Sequence, residues 1–176
     1  VSLEISENTV DIASTNCDVA IRLGAGDFPN LESRLLFPAL FTPMMSPQLA
    51  TQVGGVSRPE DLLALPILSP GDPRWPIWMR AAGVKTDRFV PDPTQHFGTQ
   101  TVEAQAAIAG HGLAMLTPAF FADELEKGLL LQPFDLLGDD GNSYWLVSGS
   151  AQVNSAKVRN FRTWLHRKTE PFRRQA

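Results

Sequence analysis

The chain has 176 residues, with 15 basic and 19 acidic side chains for a formal net charge of −4. At 43% hydrophobic and 19% charged residues it suits one or two small globular domains with a real core. The acidic balance argues against a basic nucleic-acid module, the single Cys17 excludes an internal disulfide, and no apolar run reaches the length of a membrane span.

Residues 1–6 alternate apolar and polar, which predicts a strand, and residues 8–14 predict a short helix with Val10, Ile12 and Ala13 as its apolar side. No basic-then-apolar secretion signal is expected at the start; the strand-like alternation there reads as a chain that begins inside a fold, as a fragment does. Residues 18–23 predict a second strand, with Val19, Ile21 and Leu23 facing one way and Ala20, Arg22 and Gly24 the other. A Gly- and Pro-rich turn follows over 24–30. Residues 35–45 are apolar and extended, kept from being helical by Pro38 and Pro43.

Ser46 and Pro47 open a helix that ends near Gly54 and Gly55. Ser57 with Glu60 three residues on reads as a capping box before Leu62 and Leu63, and Pro66 ends that short helix. Brief strands are predicted at 67–68 and 89–90, around an aromatic-rich helix over 75–82. A helix of small residues runs over 99–109, and a strand over 113–116. Thr117 and Pro118 open a further helix that runs to Lys127. Residues 129–134 and 144–147 predict strands, and 156–167 a terminal helix with Val158, Phe161, Trp164 and Leu165 at helical spacing. Strand and helix in alternation predict an α/β fold with mainly parallel pairing.

Most catalytic and metal motifs are absent. Gly24 and Gly26 follow a strand, but Pro29 stands where a dinucleotide fingerprint requires its third glycine. His96, His111 and His166 are scattered, with no pair at ligand spacing, so no metal site is expected. Ser148 lacks the preceding glycine of a nucleophile elbow. No catalytic residue and no cofactor are therefore expected. Cys17 reads as a small apolar residue at a strand entrance or as a reactive thiol. The basic residues Arg159, Arg162, Arg167 and Lys168 read as a solvated helix face or as a nucleic-acid patch.

One constellation carries chemistry. Burying a guanidinium without a partner costs several kcal/mol (roughly), so Arg22 must meet a negative group or open onto water. Free amides at a helix start attract anions, and Gly98, Thr99, Gln100 and Thr101 supply such a start. Thr99 or Thr101 also fits a plain N-cap. Arginine and helix start together suit a small carboxylate.

The ordered series of stretches also resembles the effector-binding domain of LysR-type transcriptional regulators, near the glycine-cleavage-activator branch. The residues that carry it are Val10 to Ala13, Asp18 to Gly24, Leu36–Phe37, Ser46 to Leu49 and Pro59 to Leu62. Further on they are Trp75 and Trp78, Glu103 to Leu116, Gly128 to Leu130, Tyr144 to Val147 and Lys157 to Leu165. The resemblance implies a type II periplasmic-binding-protein-like α/β fold with two subdomains, residues 1–43 with 147–176 and residues 44–146. Two crossover segments join them, the first strand and helix of the domain are lacking, and an effector cleft lies between the lobes. It places effector contacts at Arg22, Leu23, Gly24, Thr42, Pro43, Phe97, Gly98, Thr99, Thr101 and Pro118. An aspartate often stands at Gly98 or Thr99 in this branch, so uncharged residues there favour an anionic or neutral effector.

The implied protein is a cytoplasmic dimer or tetramer that senses a small molecule, a carboxylate or other anion. It reaches DNA only through a winged helix-turn-helix outside this chain and has no membrane partner. The rival readings are a periplasmic-type solute-binding receptor, an enzyme on the same fold and a pure oligomerisation module.

Overall fold

The computed structural model describes residue 12 and residues 17–94, 97–149 and 154–173. The strand expected at 1–6, and the helix expected at 8–14 except Ile12, lie outside the described residues. In chain order the first elements are β1 (Ala20–Gly24), β2 (Leu31–Pro38), β3 (Thr42–Met44), α1 (Pro47–Gln52), α2 (Arg74–Ala81) and α3 (Gln100–Ile108). They are followed by β4 (Ala114–Leu116), α4 (Ala122–Glu126), β5 (Ser143–Gly149), α5 (Ala156–Lys168) and α6 (Glu170–Arg173). Short 3-10 helices span Pro59–Ala64 and Pro118–Phe120. The chain divides into two compact units, Val1–Ala39 with Gly141–Ala176, and Leu40–Asp140.

The first unit is built on a sheet of order β1-β5-β2, and both pairings are antiparallel. Among the described residues the one parallel contact is the bridge from Ile67 to Leu113, in the second unit, and β3 pairs antiparallel with β4. The expectation of mainly parallel pairing is thus corrected. The reason is the chain path. The segment leaving β2 and the segment entering β5 meet, where Ala39 N donates to Asn142 O at 3.0 Å. A strand that starts where its neighbour ends runs the opposite way.

β1 alternates as its sequence predicts. Ile21 and Leu23 are 54% and 53% exposed, whereas Ala20, Arg22 and Gly24 are half-buried. The Arg22 side is covered by aromatic rings. Arg22 pairs across the sheet with Trp145, whose indole Nε1 donates to Gly24 O at 2.9 Å. Phe28 meets Trp145 edge-on at 6.3 Å, and the Arg22 guanidinium carbon lies 6.0 Å from the Phe28 ring centre. A cation over a ring face is attracted by the ring's quadrupole.

Helix α5 starts as its sequence predicts, with Ser155 Oγ accepting from Val158 N at 3.3 Å. Its far end is clasped by α6. Arg173 donates to Leu36 O at 3.2 Å, to Thr169 Oγ1 at 3.0 Å and to His166 O at 2.7 Å. The ring of Phe172 packs on Phe37, which packs on Tyr144.

In the second unit Phe41, Met45, Leu62, Trp75, Trp78, Leu113 and Met115 are all 0% exposed. Burying each such side chain contributes roughly 1.5–3 kcal/mol. Both tryptophans satisfy their indole N–H groups, Trp75 on Ser69 O and Trp78 on Leu136 O, each at 3.0 Å. Ser46 caps α1 by accepting from Leu49 N at 3.2 Å. The strand expected at 89–90 is a loop, because Phe89 turns its ring onto Trp75 in a stack at 5.0 Å. The strand expected at 129–134 reduces to one bridge, Leu131 to Met45. The helix expected from Thr117 to Lys127 breaks at Phe121 into a 3-10 turn and α4.

The capping box lies one residue later than the sequence pattern places it. Asp61, not Glu60, reaches back and accepts from the backbone N–H of Arg58 at 2.9 Å and of Ser57 at 3.0 Å. These donors, Arg58 first, hold the Asp61 carboxyl below its ordinary value of 3.8. A carboxylate with a depressed folded-state pKa stabilises above its unfolded pKa, and that contribution is lost as pH falls through the folded value. Thermal unfolding curves of wild type and Asp61→Asn are therefore expected to differ at neutral pH and to converge in acid below the usual carboxylate range.

Gly26 has φ of +103°, and a Cβ there would lie 2.6 Å from the Trp145 ring. Gly26→Ala is expected to destabilise the fold by about 1–3 kcal/mol through strain and overpacking, read as a lower denaturation midpoint.

Candidate functional site

The site on the second unit is assembled from strand ends and a helix start. β3 and β4 run antiparallel, so Thr42 at the start of β3 lies opposite Leu116 at the end of β4. The next residue, Thr117, is held by Gln100, the first residue of α3. Thr117 N donates to Gln100 Oε1 at 2.7 Å, and Gln100 Nε2 donates to Thr117 Oγ1 at 3.4 Å. These bonds bring the start of β3, the end of β4, Pro118 and the N-terminus of α3 to one end of the unit. Thr117 stands at the cap position of the 3-10 turn without a side-chain cap bond; its hydroxyl serves Gln100 instead.

Of the residues singled out from sequence, Thr42, Pro43, Gly98, Thr99, Thr101 and Pro118 gather at this end. Thr42 and Pro43 are buried, Pro118 and Thr99 half-buried, Thr101 and Gly98 exposed. Thr99 occupies the N-cap position of α3 without a side-chain cap bond. The Oγ1 of Thr42 is fully buried and, among the described residues, has no hydrogen-bond partner. Phe97 is 52% exposed, and its backbone N–H donates to Ser69 Oγ at 3.2 Å. Arg22, Leu23 and Gly24 belong to the first unit: Arg22 sits on the aromatic side of its sheet, Leu23 is exposed, and the Gly24 carbonyl takes the Trp145 indole.

A cavity of about 380 Å³ adjoins the start of α3 and shares Gly98 and Gln100 with it. Its remaining described lining is Gly71, Asp72, Pro73, Arg74, Pro91, Asp92, Pro93 and Glu103. Sequence reasoning missed this lining apart from the helix start. Two backbone approaches shape it. Asp92 N donates to Gly71 O at 2.9 Å, and a Cβ at Gly71 would stand 2.2 Å from Asp92 O, so only glycine fits. Gly98 takes φ of +91°.

Its polar groups are ordered. Asp72 and Arg74 form an ion pair in which Arg74 Nε lies 3.0 Å from both carboxylate oxygens, and Arg74 N donates to Asp72 Oδ1 at 2.8 Å. Asp92 accepts from Thr94 N at 2.9 Å and Thr94 Oγ1 at 2.7 Å. Glu103 is 3% exposed and accepts from Ser69 Oγ, so Ser69 links the Glu103 carboxylate to the Phe97 backbone. The visible sequence signal was Glu103, the one charge within the small-residue helix over 99–109. Among the described residues no helix is long and apolar enough to cross a membrane.

Comparison with known proteins gives this geometry a context. The model of the LysR substrate binding domain family matches residues 1–170. The chain is 33% identical over 171 residues to the HTH-type transcriptional activator AmpR of Citrobacter freundii, covering 94% of this chain and 56% of that protein. It is 29% identical to the glycine cleavage system transcriptional activator of Escherichia coli K12, covering 94% of this chain and 54% of that one. The chain thus spans about half the length of the curated relatives it matches. Those relatives are transcriptional regulators, neither enzymes nor periplasmic receptors.

Among solved structures, the effector domain of AmpR from Pseudomonas aeruginosa matches with a TM-score of 0.79 and 32% identity, covering 95% of this chain and 79% of that one. The regulatory domain of CrgA from Neisseria meningitidis, at 20% identity and a TM-score of 0.69 over 93% of this chain and 81% of that one, shares the fold. The expected type II binding-protein-like α/β architecture therefore holds, with its strands paired as described above.

Replacing a lone buried hydroxyl by a methyl group removes a polar atom that gains nothing from burial. Thr42→Val is accordingly expected to leave stability unchanged or to raise it by about 1–2 kcal/mol, measured by chemical denaturation.

Proposed function

We propose, since the chain belongs to the LysR substrate binding domain family, that it is the effector-sensing part of a LysR-type transcriptional regulator. The observation that carries this reading is the family match over residues 1–170. The buried, unbonded Thr42 hydroxyl beside the start of α3 supports it from the structure. Its hydrogen-bonding capacity is not taken up by any described residue.

The proposed effector is a small molecule with a carboxylate or other anionic group. Its proposed contacts are Thr42, Pro43, Phe97, Gly98, Thr99, Thr101 and Pro118 on the second unit, and Arg22, Leu23 and Gly24 on the first. Support comes from the positive end of the α3 dipole and the Arg22 guanidinium, both of which favour negative charge. The whole regulator is proposed to be a cytoplasmic dimer or tetramer that reads DNA through a winged helix-turn-helix outside this chain. Effector binding acts by its differential affinity for two arrangements of the protein, and no covalent chemistry is needed.

A thermal-shift screen of amino acids, aromatic acids and short carboxylates tests the sensor reading. A ligand at a hundred times its Kd stabilises by about 2.7 kcal/mol, an upward shift of several degrees. Arg22→Ala and Thr42→Val are expected to abolish that shift while leaving the unliganded chain folded. A folded chain that no member of the screen stabilises overturns the sensor reading. Hits that survive both substitutions remove those two residues from the contact set.

A further inference from the structure

We propose that α6 is a strap on β2 that acid releases, through the contact between His166 and Arg173. The inference lies within the first unit and goes beyond the sensor reading, because none of the proposed effector contacts takes part in it. Arg173 Nη1 donates to Leu36 O at 3.2 Å and to Thr169 Oγ1 at 3.0 Å, and the same nitrogen lies 3.1 Å from Nδ1 of His166. Its Nη2 donates to His166 O at 2.7 Å. A guanidinium has donors and no acceptor. Nδ1 of His166 therefore accepts, and the imidazole in this arrangement is neutral with its proton on Nε2.

Protonation places an N–H at Nδ1, aimed at a group that can only donate. The hydrogen bond is then replaced by two cations 3.1 Å apart, and like charges at that distance repel. Arg173 does not yield by losing a proton, since a guanidinium stays charged. The other charged groups around His166 pull both ways. Glu170, one turn on, and the negative pole at the end of α5 favour a charge on the ring. Arg162, one turn back, and Arg167 and Lys168 in the same last turn oppose it. The charged side chains of β2, Glu32 and Arg34, are exposed and opposite in sign. Arg173, at hydrogen-bond distance, opposes it most directly.

What the clasp holds is small and well placed. α6 has four residues, too few to persist as a helix on its own hydrogen bonds. It is seated by Arg173 on the Leu36 carbonyl and by Phe172, whose ring centre lies 5.7 Å from that of Phe37. Phe37 in turn lies 5.2 Å from Tyr144 of β5. Leu36 and Phe37 stand near the end of β2, just before this stretch of the first unit ends at Ala39. Without Arg173 the strap keeps only its ring contact, and its release uncovers the end of β2. The contact needs the neutral ring. Its contribution is therefore present above the titration range of histidine and lost as pH falls through it.

Proton NMR of the whole chain reads the seat of the strap as the cross-peak between the Phe172 and Phe37 rings. The indole N–H signal of Trp145, bonded to Gly24 O, controls for folding of the first unit. Between about pH 8 and pH 5 the wild type is expected to lose the cross-peak while the Trp145 signal stays in place. His166→Gln offers a carbonyl that still accepts from Arg173 and takes up no proton, and is expected to keep the cross-peak at both ends of the range. Arg173→Ala removes the anchor and is expected to lack it at both ends. A cross-peak that persists in acid in the wild type overturns the proposal, because the His166 ring then turns aside and leaves the strap seated. Equal loss in His166→Gln assigns the release to another group and overturns it as well, as does a seated strap in Arg173→Ala.

Discussion

A single carboxamide organises the site end of the second unit. Gln100 begins α3 and spends its side chain on Thr117, accepting from the backbone N–H and donating to the hydroxyl. Thr117 follows β4 directly, and β4 carries Thr42 opposite its last residue. The helix start, the two strand ends and the buried Thr42 hydroxyl therefore share one anchor. Apolar contacts alone hold distance but not orientation. Hydrogen bonds inside a packed unit are directional, and a ligand site needs groups held to within a fraction of an ångström.

The same helix start adjoins the cavity lined by Gly71, Asp72 and Asp92. Its N-terminal end carries the positive pole of the α3 dipole. Within that first turn, Glu103 turns a carboxylate toward the Ser69 hydroxyl and lines the cavity. Glu103 lies in the first turn of α3, where an acid is favoured by that pole.

What could be read from the residues depended on how local the cause was. Ser46 before Pro47, Ser155 before the α5 run and the apolar spacing of α5 act within a turn or two, and each element appeared where its pattern put it. The face of β1 was not legible. Periodicity shows that Ile21 and Leu23 share a side, but not which side Trp145 covers, because that residue arrives from 121 positions away in the bond to Gly24. Strand direction failed for a related reason: alternation of helix and strand does not reveal that the chain leaves β2 and returns beside it at Asn142. The capping box moved from Glu60 to Asp61 because both acids are plausible by type and only backbone geometry selects one. The helix start at Thr99 to Thr101 was readable. The cavity behind it was not, since Gly71, Asp92 and Glu103 meet only in three dimensions.

The discontinuity of the first unit sets an order of assembly during synthesis. The second unit is one unbroken stretch, Leu40–Asp140, and can close its core as soon as that stretch has emerged from the ribosome. The first unit's β1 and β2 are made earlier, yet the strand that lies between them, β5, is the last to emerge. Those two nascent strands therefore wait with a row of unpaired amides and carbonyls on each side of the gap, the exposed edges that invite wrong pairing. A completed second unit brings the two ends of the break together at Ala39 and Asn142. The inserted body thus acts as a template that delivers the missing strand to its slot.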